Sequence, residues 1–251
     1  MNLKDFYEDR SRLSYNPRNS LAKSRTGLRK LIAYDDRFDE VAGVLNRLTG
    51  DADKKGMKIL DIGVGDGVYE SMLAPGIFKK AHFYGVDISQ KQLARAKKYL
   101  MEAKLVDLNK ETLPYASDYF DICIVSEILE HVFYPEKVLN EAFRVLKKRG
   151  KVILTYPNSG SLQLRLSLFL TGASPLLNYP QNKEHIRFFN KDGILKMLPP
   201  AARLESVQGL GSFIFAKWNF LVKIVTPRVL QIVGNRLLPN LALGHLMILK
   251  K

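Results

Sequence analysis

The stretch Lys58–Glu70, KILDIGVGDGVYE, limits what this chain can fold into more than any other. A short apolar run, Ile59-Leu60-Asp61-Ile62, stops at glycines in alternate positions, Gly63, Gly65 and Gly67. Such a run reads as a buried parallel strand. Glycines placed directly after it let bare backbone turn and come close to a ligand before a helix begins. Asp61 stands inside the apolar run, where a carboxylate is costly unless something pairs with it. The pattern predicts an open α/β sheet with its ligand site at the carboxyl ends of the strands.

The glycine spacing separates two ligand classes. Dinucleotide binders use G-x-G-x-x-G, whose third glycine permits close helix–strand packing. Here the spacing is G-x-G-x-G, and Val68 follows Gly67. A second acid ends the next predicted strand, His82–Asp87, twenty residues after Gly67. An acid there can accept hydrogen bonds from both ribose hydroxyls, with Ile88 beside it. That spacing serves several nucleotide- and nucleoside-binding sheets, so it supports the fold more than the chemistry.

Farther along, Phe38, Val41, Leu45 and Leu48 predict a helix that Gly50 stops. Ser89 and Gln92 form a capping-box pattern, with Leu93, Ala96 and Leu100 as the helix stripe. Ala103–Val106 reads as a third strand closing on Asp107-Leu108. Phe120–Val125 is apolar on both faces, as a central parallel strand should be, and Ser126 and Glu127 follow at its carboxyl end. Pro135 opens a helix, Lys147–Gly150 reads as a turn, and Val152–Tyr156 as the fifth strand. Asn190 can cap a helix running to Leu198. Leu204–Gln208 and Leu241–Leu249 complete the strands.

Two blocks carry a family resemblance. Asp61-x-Gly63-x-Gly65-x-Gly67 resembles the first motif of class I S-adenosylmethionine-dependent methyltransferases. Leu113-Pro114-Tyr115 followed by SDYFDICIVSEILEHV resembles the ubiquinone/menaquinone-biosynthesis type. The resemblance spans residues 57–157. It implies a Rossmann-like fold: a seven-stranded, mostly parallel sheet with an antiparallel last strand and helices on both faces. It implies S-adenosylmethionine as cofactor and S-adenosylhomocysteine as product. It gives Asp61 a bond to the cofactor's amino end, direct or through water. It places Asp107 on the adenine amino group and the next backbone N–H, that of Leu108, on a ring nitrogen. A turn role is the competing reading of Asp107. The segment Glu184-His185-Ile186-Arg187-Phe188-Phe189 resembles methyltransferases of bacterial cell-surface glycan and lipid pathways.

The sulfonium methyl is already electrophilic, so positioning and dehydration can supply much of the rate. A base is needed only where the acceptor must lose a proton. His131 and His185 are the candidates, and a structural hydrogen-bonding role competes for His131. Glu127 or Glu130 can face the sulfonium. Arg187 is the candidate for an anionic acceptor, against a role in holding its own segment. No metal is expected: the lone cysteine, Cys123, excludes a Cys-based zinc cluster and an internal disulfide.

Composition adds a partner. The 251 residues suit one domain: a basic cap over 1–35, a cofactor-binding core over 57–157, and apolar insertions over 159–189 and 210–238. A net charge of +14 points to an anionic partner. Nucleic acid is the weaker candidate. No Asn/Asp-Pro-Pro-Tyr/Phe motif follows the fourth strand, and core-placed Cys123 does not suit a cytosine-C5 nucleophile. A non-catalytic scaffold is a third reading, opposed by the intact glycine motif and its two acids. The expected function is methyl transfer to a small-molecule or lipid-linked acceptor by a monomer or dimer. The N-terminus lacks the apolar core of a signal peptide and no apolar run reaches the ~20 residues of a membrane span. The expected location is cytoplasmic, with peripheral association at the inner membrane face.

Overall fold

The computed structural model describes residues 36–50, 56–73, 77, 81–172, 185–211 and 235–251. The expected cap over 1–35 and the apolar stretch 213–233 lie outside them, as does most of the loop before His185.

The chain enters through helix α1 (Asp36–Thr49) and passes into strand β1 (Met57–Ile62), the glycine turn and the short helix α2 (Val68–Met72). Strand β2 (Ala81–Asp87), helix α3 (Gln90–Ala96) and strand β3 (Glu102–Leu105) follow. Strand β4 (Phe120–Ser126), helix α4 (Pro135–Val145) and strand β5 (Leu146–Pro157) come next. Helices α5 (Leu162–Thr171) and α6 (Lys191–Met197) precede strands β6 (Arg203–Leu210) and β7 (Gly244–Lys250). The sheet has seven strands in the order β3-β2-β1-β4-β5-β7-β6. Strands β1 to β5 are parallel, and β7 runs antiparallel to both β5 and β6. The order reverses between β1 and β4, and a crevice opens at such a switch point beyond the carboxyl ends.

Strand alternation sorts the core into two layers. Leu60, Ile62, Cys123, Val125, Val152 and Leu154 face α4, whose Val138, Leu139, Ala142 and Phe143 cover them. Ile59, Ile122, Ile124 and Ile153 face the other way, against Val41, Val44 and Leu45 of α1 and Tyr69 of α2. The continuous apolar sequences of β1 and β4 are thus used on both faces. Cys123 is fully buried, its Sγ 3.7 Å from the Ala142 carbonyl, and burial pushes its thiol pKa up. It is an inert core residue.

Several local expectations are corrected. The stripe running to Leu100 is cut short: α3 ends at Ala96, tightens into a 3-10 turn over Lys97–Tyr99, and leaves Leu100 extended. Only half of the capping box forms. Ser89 Oγ accepts from the Gln92 N–H, but the Ser89 N–H donates to Asp87, and Gln92 turns toward Gly65 instead. Lys147–Gly150 is not a separate turn but a bulged entry to β5. Phe120 pairs Leu146 and Ile122 pairs Lys151, with Arg149 at φ 66° absorbing the extra residues. The last strand is not at the edge; it lies between β5 and β6.

Candidate functional site

The glycine turn builds the floor of a cleft at the carboxyl ends of β1, β2 and β4. Gly63 and Gly65 have φ of 81° and 56°, in the left-handed region that glycine adopts without strain. A Cβ on Gly63 would run into the Ile128 side chain, so the turn passes directly beneath the loop after β4. The Gly63 N–H donates to the Val86 carbonyl at 2.8 Å, and the Gly65 N–H to Asp87 Oδ2 at 2.9 Å. Asp87 Oδ1 accepts from Ser89 N–H at 2.8 Å. Asp87 therefore locks the turn to the end of β2 while its carboxylate borders the cleft. Ile88, Asp107, Leu108, Glu127 and His131 complete the predicted residues found there. Asn109, Ile128 and Val132 join them without having been singled out in the sequence, and so does Gln92, which the sequence offered only as a helix-capping residue. Asn109 was not legible: its backbone N–H in the Asp107 Asx turn could come from any residue, and only the fold shows its Oδ1 accepting from Phe133 N–H at 2.7 Å. Asp107 does serve a turn, accepting from Asn109 N–H at 3.0 Å, and it lines the cleft as well.

Three predicted cofactor residues do not line this cleft. Gly67 caps α2 at φ 77°, and a Cβ there would stand 3.2 Å from Ala96 Cα, so it serves close packing against α3. Asp61 belongs to the opposite strand face, the one covered by α1 and α2. It is 2% exposed, beside Glu70 of α2 at 0%. Burial raises the pKa of both carboxyls, Glu70 to about 7, and the two share a hydrogen bond. The raised pKa of both groups keeps a proton between the two carboxyls, so Asp61 can donate to Glu70. Ser126 is also on this face, buried between Tyr69 and Thr155. Its Oγ contacts the Tyr69 hydroxyl and lies 2.7 Å from Thr155 Oγ1.

That contact continues into the cleft. Thr155 Oγ1 donates to Glu127 Oε1 at 3.0 Å, which sets the direction of the chain: Tyr69 to Ser126 to Thr155 to Glu127. Burial raises the Tyr69 pKa, so its hydroxyl keeps its proton and remains a donor. Glu127 has φ 53°, a conformation costing about 1–3 kcal/mol for a residue with a Cβ. Its N–H donates to the Thr155 carbonyl at 3.1 Å, so one residue of β5 holds both its backbone and its side chain. A strained carboxylate held at the rim by two bonds from one residue makes Glu127 a candidate functional position.

Across the cleft, a 3-10 turn over Leu129–His131 presents Glu130 and His131. The Glu130 carbonyl accepts from the Ile186 and Arg187 N–H groups at 2.9 and 3.2 Å. This strap brings His185 to His131, their rings 4.8 Å apart and edge to face at 73°. His185 and Arg187 border the site without lining the cleft. An Arg187 Nη2–H donates to the Phe133 carbonyl at 3.0 Å, so the guanidinium helps hold its own segment. Glu130 is 1% exposed, with neither oxygen hydrogen-bonded. Burial, with the Glu127 carboxylate adding to it, raises its pKa well above the ordinary range. A second hollow lies at the opposite end of the strands, around Met57 and Lys147–Lys151. Two of its lysines are engaged, Lys147 with Asp121 at 2.8 Å and Lys151 with Glu205 at 2.7 Å.

Comparison with known proteins agrees with this geometry. Residues 60–154 match the family model of a methyltransferase domain, so the resemblance read in the two sequence blocks is borne out. A chloroplastic 2-methyl-6-phytyl-1,4-hydroquinone methyltransferase of Spinacia oleracea is 32% identical over 148 residues, 57% of this chain and 41% of that protein. A ubiquinone/menaquinone biosynthesis C-methyltransferase of Vibrio vulnificus is 31% identical over 133 residues, 48% of this chain and 51% of that protein. The chain thus spans about half the length of these relatives. Among solved structures, an S-adenosylmethionine-dependent methyltransferase of Thermotoga maritima has TM-score 0.55 at 20% identity, covering 94% of this chain and 97% of its own. That likeness establishes the class I methyltransferase fold.

Proposed function

We propose that this chain transfers a methyl group from S-adenosylmethionine to a small-molecule or lipid-linked acceptor. The observation that carries the reading is Asp87, which borders the cleft while its carboxylate fixes the glycine turn through Gly65 N–H. In this reading Asp87 accepts from the ribose hydroxyls, and Asp107 and the Leu108 N–H take the adenine edge. Glu127 stabilises the positive sulfur. The acceptor atom attacks the methyl carbon in line, the sulfur–carbon bond breaks, and sulfur keeps the electron pair as S-adenosylhomocysteine. The acceptor sits on the side of Glu130, His131 and His185, where any proton it carries must leave. The relatives named for a phytyl hydroquinone and for ubiquinone and menaquinone favour an isoprenoid-linked aromatic acceptor. An apolar acceptor suits the exposed Phe169 and Leu170 of α5, and these side chains also support the peripheral membrane reading. Calorimetric titration with S-adenosylhomocysteine is the test. One product bound per chain is expected, and no binding overturns the reading.

A further inference from the structure

We infer that Glu130, His131 and His185 form a site for a divalent transition-metal ion, best matched by zinc, beside the position to which the methyl group is delivered. The inference rests on the methyl-transfer reading for its purpose but not for its geometry. One ligand atom from each residue lies within 4.8 Å of the others, and His131 Nε2 is 3.9 Å from Glu130 Oε1. Two imidazoles and a carboxylate are a zinc ligand set that leaves a fourth position open. Bonds of about 2.1 Å in a tetrahedron need donor separations of about 3.4 Å, so small side-chain rotations close the set.

Glu130 supplies the independent reason. Its carboxyl is 1% exposed and neither oxygen has a hydrogen bond. A buried polar group left unsatisfied is costly, and native structures retain one where something else fills the need. The Arg37 guanidinium acts on it without a hydrogen bond to either oxygen, and one nitrogen of each imidazole lies within 4.8 Å of a carboxyl oxygen. A cation takes a lone pair from one of these oxygens and offsets the adjoining Glu127 charge. The strap from Ile186 and Arg187 to the Glu130 carbonyl gives the third ligand a fixed place, since it immediately follows His185.

His131 lines the cleft together with Ile128 and Val132, so the open position faces the acceptor. The ligand for that position is a hydroxyl on the acceptor. Metal-bound oxygen loses its proton near neutral pH. The bound hydroxyl gives its proton to solvent, and the ionised acceptor then attacks the methyl carbon. Sulfur leaves with the electron pair of the broken bond. No oxidant or reductant enters. A hydroxylated aromatic fits, because loss of that proton activates both its oxygen and its ring carbons.

The test is a zinc titration of the full, untagged chain against a competing chelator, with S-adenosylhomocysteine affinity measured on the same samples. Losing an outer-shell partner of a metal site costs about 10–100-fold in affinity, so Glu130→Gln and His185→Ala should each weaken zinc at least about 100-fold. One zinc per chain, lost in both variants, is the expected result. No uptake by the wild type, or uptake that neither substitution weakens, overturns the site. The wild-type titration decides even where a variant fails to fold. Absent zinc with intact S-adenosylhomocysteine binding removes the metal site alone. Absent S-adenosylhomocysteine binding removes the methyl-transfer reading, and the zinc result still judges the site by itself.

Discussion

Glu70 and Asp61 place two carboxyls in one dry pocket, and that has a cost that depends on pH. Folding holds the Glu70 proton up to about pH 7, whereas the ordinary value is 4.5. The native state therefore binds more protons than the unfolded chain between those values. This contribution to stability is complete below the unfolded pKa and is lost as pH rises toward 7. Glu70→Gln keeps the shape and removes the titration. The variant should gain stability over the wild type at pH 8, by up to roughly 3 kcal/mol, and little at pH 4.5. Denaturant unfolding at both pH values checks this, and a difference that does not change with pH rejects it. Asp87 gives the complementary prediction for binding. Asp87→Ala should weaken S-adenosylhomocysteine by roughly 1.5–3 kcal/mol, through lost charge-assisted bonds and a loosened Gly65 turn. Unchanged affinity by calorimetry would sink the assigned role. The two acids differ in how far the sequence reveals them. Asp87 is legible because a carboxylate at a strand end, twenty residues after a glycine turn, has few other uses. Glu70 is not. An acid in the first turn of a helix reads as a favourable dipole partner, and only the fold shows that Asp61 stands opposite it.

Elements with strong periodicity were legible to within a residue or two. The strand Phe120–Ser126 and helix Pro135–Val145 are fixed by apolar runs bounded by chemistry that cannot continue them. The bulge at Lys147–Gly150 was not, because a basic Gly-containing tetrapeptide is equally good as a turn; pairing with β4 decides it. Nor was the use of Asn158, which ends β5 and anchors everything after it. Its Nδ2–H groups donate to the Asn240 and Ala242 carbonyls at 3.0 and 2.9 Å, and its Oδ1 accepts from Gly160 N–H at 2.9 Å. Asn158→Ala leaves those groups without a partner at a site 2% exposed. A loss of about 2–4 kcal/mol in unfolding free energy is expected. A change within about 0.5 kcal/mol, as for an exposed position, would contradict it. The strap from Glu130 to Ile186 and Arg187 ties the segment after α5 to the cleft. Cofactor product that orders the Ile128–His131 turn should slow hydrogen exchange at both strapped amides. Equal exchange with and without product counts against coupling between strap and cleft.

At the scale of the molecule, the +14 charge and the exposed end of α5 favour one surface. Helix α5 buries only Leu164, and Leu168, Phe169 and Leu170 are 51%, 85% and 71% exposed. Among the described residues no helix is long and apolar enough to cross a membrane, so these side chains suit shallow contact and not a span. Each basic residue near an anionic leaflet contributes ~1 kcal/mol, and insertion of two or three apolar side chains adds to that. A partner copy covering the same face is the competing occupant, and salt distinguishes the two. Co-sedimentation with vesicles containing phosphatidylserine should be strong at low ionic strength and fall as salt shortens the screening length. Phe169→Ser with Leu170→Ser should weaken it at every salt concentration, because the apolar contribution is not screened. Protein that remains in the supernatant at low salt, together with a stable dimer in sedimentation that the double substitution dissociates, would assign the face to self-association. The +14 charge would then read as a basic surface that keeps the chain in solution, since apolar dimer contacts do not involve it.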